Sequence, residues 1–230
     1  MEIKQAVRIQ KSIFNGVEKK ILVWLAERQP KWVSSDFMTF LGFLGAIVIA
    51  AGYMLSAIDI RFLWLASFGL LLNWYGDSLD GTLARVRNTQ RPLYGYYLDH
   101  TMDGINETIM FLGAGLSPLM HLPLALGILV LYLLLTISVS INAHLKKEFR
   151  LTYIKLGPTE FRMIVIVINT LFLFIKPLRE YSAIFEICGL TLELKALDFV
   201  ALGIILILSL ILLVTMFTDL RDYSRLDPKK

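Results

Sequence analysis

Leu63-Trp-Leu-Ala-Ser-Phe-Gly-Leu-Leu-Leu-Asn-Trp-Tyr-Gly-Asp77-Ser-Leu-Asp80 decides how the chain must be read. It begins as an apolar run and ends on two aspartates. Further on, Gly95-Tyr-Tyr-Leu-Asp99-His-Thr-Met-Asp103 places two more aspartates at the head of a second apolar run. Runs of roughly 17–25 apolar residues cross a bilayer as helices, whereas charged groups at membrane depth are costly and mark function. Asp77 and Asp80 are three apart and Asp99 and Asp103 four apart, so each pair shares one face of its helix. Both pairs flank one short loop. At about 1.5 Å of rise per residue, they come to similar depth on adjacent helices.

The composition supports a membrane setting. Of 230 residues, 56% are hydrophobic and 18% charged, against roughly 25% charged in a soluble domain. With a mean hydropathy of +0.63, the apolar excess cannot be hidden inside a globule of this size. A soluble enzyme and a disordered chain are both disfavoured. One cysteine, Cys188, allows neither an internal disulfide nor a zinc cluster.

Six spans are expected, at Phe37–Ile58, Phe62–Leu79, Tyr96–Leu116, Leu122–Ala143, Phe161–Ile175 and Ala196–Phe217. Pro118, Pro123, Gly157-Pro158 and Pro177 punctuate the connections. With both termini inside, 19 of the 23 basic residues face the cytoplasm. They include Lys4, Arg8, Lys11, Arg85, Arg87, Arg91, Lys146, Lys147, Arg150, Lys155, Arg162, Arg221, Lys229 and Lys230. Only Arg61, Lys176, Arg179 and Lys195 remain outside, a bias that orients the chain. Within the first 36 residues, Ile13, Phe14, Val17, Ile21, Trp24 and Leu25 recur at helical spacing. That predicts an amphipathic helix on the inner leaflet, ending near Pro30. The expected organisation is a cytoplasmic segment over 1–36, a six-helix all-α membrane domain over 37–217 and a tail over 218–230.

Four gathered carboxylates would repel one another unless cations sat among them. Two divalent ions balance four negative charges, and oxygen-only ligands favour magnesium, manganese or calcium over zinc. Such a pair can clamp a diphosphate during an in-line displacement. The competing reading is that these aspartates pair with Arg85, Arg87 and Arg91. Gly81 and Ala84 leave room for a diphosphate beside Asp80, and Arg85 could bind a phosphate oxygen.

Taken together, Asp77, Asp80, Gly81, Ala84, Arg85, Gly95, Asp99 and Asp103 resemble, in order and spacing, the signature of the CDP-alcohol phosphotransferase family. The resemblance implies transfer of a substituted phosphate from a CDP-alcohol to a second alcohol, with release of CMP. By the same resemblance, Asp77, Asp80, Asp99 and Asp103 would hold two magnesium or manganese ions. Gly81, Ala84 and Arg85 would contact the CDP moiety, and Asp103 would be the general base. The family's usual Pro-Asn-x-x-Thr at the first span is represented only by Thr39, within Ser34-Ser35-Asp36-Phe37-Met38-Thr39, as a nucleotide-site residue. His100 follows Asp99 as in choline and ethanolamine phosphotransferases, but Thr101-Met102 departs from that subgroup. Gly104 stands where phosphatidylinositol-phosphate synthases often carry arginine. The implied partners are a CDP-linked lipid donor such as CDP-diacylglycerol, a polar alcohol acceptor and membrane lipids. A homodimer is also implied, and no nucleic-acid partner is expected.

Glu107, Glu160, Arg162 and Arg150 are candidates for holding the acceptor, with His144, Lys146, Lys147 and Lys155 forming a basic wall nearby. Arg162 and Glu160 stand where the fifth span enters the membrane, and an unpaired charge there is costly. Asn73, four residues before Asp77, can support that aspartate or bond to a neighbouring helix. Trp64, Trp74, Tyr96 and Tyr97 read as interfacial aromatics. Three further readings compete: transfer of a CDP-linked headgroup to diacylglycerol, an aspartate-rich prenyltransferase and a cation transporter. The last conventionally places its site between repeats at the midplane, and no repeat is visible.

Overall fold

The computed structural model describes residues 7–9, 15–146, 148–150, 158–187 and 190–228. About 81% of it is helical, in keeping with an all-α chain. The helices are α1 (Asn15–Glu27), α2 (Ser35–Leu55), α3 (Leu63–Val86), α4 (Pro92–Gly115), α5 (Leu122–Lys146), α6 (Pro158–Phe174), the short α7 (Lys176–Arg179) and α8 (Ala196–Leu226). Lys4, Lys11, Ile13, Phe14, Lys147, Lys155, Gly157, Cys188, Lys229 and Lys230 lie outside the described residues.

Six long helices coincide with the six apolar runs. Three of them, α2, α5 and α8, are long and apolar enough by length and composition to cross a membrane. The boundaries differ from those read by hydropathy. Helix α3 continues past Leu79 to Val86, α4 begins at Pro92 rather than Tyr96, and α8 passes Phe217 to reach Leu226. Hydropathy falls where charges begin, but the backbone hydrogen bonds do not stop there. Leu83, Ala84 and Arg85 are good helix formers, and Pro92 suits a first turn because its missing N–H would go unused. The four aspartates therefore sit within continuous helices. Between α3 and α4 the chain turns on Asn88, at φ 54°, a left-handed conformation that asparagine tolerates better than most residues. The extra turns of α8 are tied to α5: Asn142 donates to Asp219 at 2.6 Å, and the Tyr223 hydroxyl donates to Asn142 at 2.6 Å.

Two small ladders were not anticipated. Val7–Ile9 (β1) pairs in parallel with Glu148–Arg150 (β2). Ser182–Ile187 (β3) and Leu190–Lys195 (β4) form an antiparallel hairpin in the segment read as a loop. Its second strand, Leu190–Lys195, alternates apolar and polar residues as a half-buried strand does. Its Phe185 ring lies 6.3 Å from that of Phe199 on α8, and Tyr181 lies 5.9 Å from the same ring.

Packing begins with α2 and α3, whose backbones touch. A Cβ added to Gly76 would lie 2.3 Å from the Gly42 nitrogen, and one on Gly45 would lie 2.4 Å from the Asn73 nitrogen. Helix α4 meets α2 in the same way, since a Cβ on Gly113 would fall 2.3 Å from Cα of Ala50. Small residues permit such approaches, and in lipid close van der Waals contact largely replaces the hydrophobic drive between helices. Asn73 reinforces the seam by donating to the Gly42 carbonyl at 2.9 Å. It is thus a helix–helix bond that Asn73 makes. One layer away, the Tyr53 hydroxyl donates to Asn169 at 2.8 Å and Asn169 donates to Ser67 at 3.2 Å, tying α2, α3 and α6 together. At the opposite end from the aspartates, fully buried Asp198 on α8 accepts from the backbone N–H groups of His121 and Lys195, each at 2.8 Å.

Helix α1 buries Leu22 and Ala26 with Val33, Met38, Leu79 and Leu83, while Ile21 and Trp24 stay exposed. Arg87 holds the chain after α1 by donating to the carbonyls of Gln29 and Pro30, each at 2.9 Å, and of Val33. Along α8, Leu206, Ile207, Leu210, Val214 and Phe217 are all more than half exposed. An apolar surface of this kind suits lipid rather than water.

A β-branched side chain at Gly76 must push the α2–α3 seam apart. Gly76→Val is expected to cost at least about 1–3 kcal/mol and to lower the thermal midpoint of detergent-purified protein. Gly203→Ala, where an added Cβ meets nothing within 4 Å, should be neutral or mildly stabilising. Equal midpoints for the two variants would contradict the close seam.

Candidate active site

The site is built where the C-terminal half of α3 lies beside the first turns of α4. Asp77, Asp99 and Asp103 each offer a carboxylate oxygen, and these oxygens lie within 4.8 Å of one another. Asp77 comes from α3; Asp99 and Asp103 are one turn apart on α4, as their spacing requires. Three partly buried carboxylates at such distances form a donor set suited to a hard divalent cation. The fit is chemical as well as geometric, since only oxygen is offered.

Asp80 is treated differently. It is 9% exposed, and its carboxylate accepts from the Thr39 hydroxyl at 2.7 Å and from the backbone N–H of Gly81. Its main-chain carbonyl accepts from Ser35 at 2.9 Å. Thr39, expected to line a nucleotide site, is thus placed against an aspartate of the motif. Above Gly81 the surface is open: an added Cβ would meet only the Arg85 guanidinium, at 3.4 Å. Ala84 is partly exposed and Arg85 exposed, and Arg85 donates to Thr82 at 2.9 Å.

The guanidinium bonded to Asp77 comes from α6 rather than from the α3–α4 turn region. Arg87 is spent on the carbonyls after α1, and Arg91 lies 3.8 Å from Asp36 with its guanidinium 3.7 Å above the Tyr94 ring. Arg162, from the first turns of α6, donates to Asp77 at 2.8 Å. The two side chains are only 15% and 23% exposed, so this pair is screened less than a surface one. Glu160, two residues earlier, is buried. Of Arg150, only the backbone in β2 is described.

Glu107 lies one turn deeper than Asp103 on α4. The Tyr132 hydroxyl of α5 hydrogen-bonds to it, while its Oε2 is buried without a partner among the described residues. Buried polar atoms are rarely left so. His100 stacks on Tyr96 with ring centroids 4.1 Å apart, and its Nδ1 is 3.5 Å from Asp99. Nothing local in the sequence marks Tyr132, the Ser35 bond to Asp80 or the glycine seam as parts of the site. Only the seam leaves a signal, of packing, in the small residues repeated along α2 and α3.

Comparison with known proteins agrees with this geometry. A family model described as CDP-alcohol phosphatidyltransferase matches residues 32–217. A phosphatidylinositol phosphate synthase of Cutibacterium acnes is 33% identical over 86 residues, which is 36% of this chain and 38% of that protein. An archaetidylinositol phosphate synthase of Methanothermobacter thermautotrophicus is 33% identical over 100 residues, 44% of this chain and 47% of that protein. The chain thus spans less than half the length of either relative. With the family match running through every helix that carries an aspartate or its partner, the chain belongs to the CDP-alcohol phosphatidyltransferase family.

Proposed function

We propose that this chain is a membrane enzyme of phospholipid biosynthesis. It transfers a phosphatidyl group from a CDP-alcohol such as CDP-diacylglycerol to the hydroxyl of a polar alcohol. The observation that carries this reading is the meeting of Asp77, Asp99 and Asp103 within 4.8 Å, in a chain of this family. Six spans bring the aspartates to the cytoplasmic face, where a lipid donor and a soluble acceptor can meet. Residues 1–36 form the interfacial segment, 37–217 the catalytic domain and 218–230 the tail. Assembly as a homodimer belongs to the same reading.

In the reaction, the acceptor oxygen attacks the β-phosphorus of the donor. Its O–H proton passes to the Asp103 carboxylate, the bond from that phosphorus to the bridging oxygen breaks, and CMP leaves with the electron pair. Asp77, Asp80, Asp99 and Asp103 would hold two magnesium or manganese ions, which neutralise the diphosphate and the leaving group. Thr39 fixes one oxygen of Asp80, and Arg162 fixes one oxygen of Asp77. A carboxylate has further lone pairs to offer, so these bonds orient the ligands without using them up. The open surface over Gly81 admits the CDP moiety beside Ala84 and Arg85. Glu107, whose Oε2 is buried without a partner among the described residues, would receive the acceptor's hydroxyls together with Glu160, Arg162 and Arg150.

The names of the two relatives put inositol phosphates among the acceptors to try, although Gly104 departs from the arginine often found in such synthases. Headgroup transfer to diacylglycerol is the second acceptor class, and His100 is the residue that favours it. Family membership weighs against a cation transporter.

Purified protein supplied with CDP-diacylglycerol, manganese or magnesium and a panel of polyols and their phosphates should release CMP. No metal-dependent CMP from any donor–acceptor pair would reject the proposal. Asp103→Asn should lower turnover by about 10²–10⁴-fold while CDP binding persists; equal loss of CDP binding would make Asp103 a ligand only. Arg162→Ala should reduce kcat/KM by about 10–100-fold. Unchanged kinetics in Arg162→Ala would remove this arginine from the site.

A further inference from the structure

Glu18 sits on α1, in a segment that the transfer chemistry does not use. One of its oxygens, Oε1, accepts two bonds from two different helices. The Trp74 indole N–H of α3 donates at 2.9 Å, and the Thr159 hydroxyl of α6 donates at 2.6 Å. Both donors have the same sequence relation to the site. Trp74 is three residues before Asp77, and Thr159 is three residues before Arg162. Each is therefore within one helical turn of a member of the Arg162–Asp77 pair, which is the direct bond between those helices at the site. Among the described residues, α1 is thus the third body that fixes how α3 and α6 meet there.

Helix α1 is well placed to act as a brace. Leu22 and Ala26 are buried against Leu79 and Leu83 of α3. The Gln29 amide donates to the Tyr75 hydroxyl at 2.7 Å, next to Trp74. Arg87 anchors the chain that follows α1 through the carbonyls of Gln29, Pro30 and Val33. Helix α1 is thus fastened along α3 independently of Glu18. What Glu18 adds is the connection to α6.

We propose that Glu18 is a positioning residue: by bridging Trp74 and Thr159 it sets α6 against α3 so that Arg162 meets Asp77. The proposal rests on Asp77 serving the cation and diphosphate site described above. Glu18 touches no reacting atom and acts through Arg162. Orienting groups behind a metal ligand commonly change affinity or rate by about 10–100-fold when removed.

The test uses the full chain in detergent, with two readouts: Mn²⁺ affinity of the resting protein by electron paramagnetic resonance, and kcat/KM for CMP release. Glu18→Leu removes the acceptor oxygens, and Thr159→Val removes one donor while nearly preserving shape. Each is expected to weaken Mn²⁺ binding by about 10–100-fold. Glu18→Gln keeps an acceptor oxygen and should restore most of the loss. In an Arg162→Ala background, Glu18→Leu should add no more than about twofold, because residues acting through one contact are not additive. Effects that multiply in the double variant, or unchanged Mn²⁺ affinity in Glu18→Leu and Thr159→Val, would overturn the brace. Should Glu18→Leu fail to fold, Thr159→Val, which deletes one hydroxyl, carries the same comparison. Wild-type protein that binds Mn²⁺ yet releases no CMP would count against the transfer reaction alone, leaving the affinity cycle to decide the role of Glu18.

Discussion

Backbone contact between α2 and α3 is the constraint on which the rest of the structure hangs. Lipid chains are as apolar as leucine, so burying leucines between membrane helices yields little, and close atomic contact must hold them instead. Here that contact is made by Gly42 and Gly45 on one helix and by Asn73 and Gly76 on the other. Asp77 is the next residue after Gly76. One and two turns beyond the seam, Thr39 and Ser35 of α2 reach the carboxylate and carbonyl of Asp80 respectively. The surface that packs the two helices thus runs directly into the surface that orients the aspartates. A change in helix separation moves both together.

The second constraint is electrostatic. Carboxylates close together in a partly dehydrated place repel one another, and the protein answers each differently. Asp80 is satisfied by a hydroxyl and a backbone N–H, and Asp77 by a guanidinium. Asp99 and Asp103 share their helix face and converge on Asp77. This uneven treatment gives four residues of one type different surroundings, which is how a single side chain can serve separate roles in one site.

Much of this could be read from the chain before any coordinates. The matched spacings of Asp77 with Asp80 and of Asp99 with Asp103 imply two shared faces; Asp77, Asp99 and Asp103 do converge, whereas the Asp80 carboxylate is held by Thr39 and Gly81. Arg162 stands out in the sequence because an unpaired charge where a helix enters lipid is costly, and its partner is an aspartate of the motif. Where the reading fell short, the cause was long-range geometry. Nothing local tells Thr39 that it will meet Asp80, 41 residues away, or Glu18 that it will meet Thr159, 141 residues away. Hydropathy also misjudges where α3 ends and where α4 begins, because it follows side chains whereas helices follow backbone bonds and propensity. The β3–β4 hairpin is legible in part, since Leu190–Lys195 alternates apolar and polar residues, but its place between two apolar spans reads first as a connection.

Helix α6 shows how these constraints combine. It is the shortest of the six long helices, at 17 residues, and is bonded near both ends. Asn169 joins Tyr53 and Ser67 towards its far end, while Thr159 joins Glu18 at its start. Arg162 lies between these ties, seven residues from Asn169 and so on the same face of the helix. A long, flexible side chain usually surrenders about 2 kcal/mol of rotamer freedom when it is fixed in place. With the helix held on either side, and its guanidinium already on Asp77, Arg162 meets that cost during folding. A group fixed in advance has little reorganisation left to undergo when charge moves beside it, the condition under which electrostatic stabilisation is most effective, and under the proposed reaction Arg162 meets that condition.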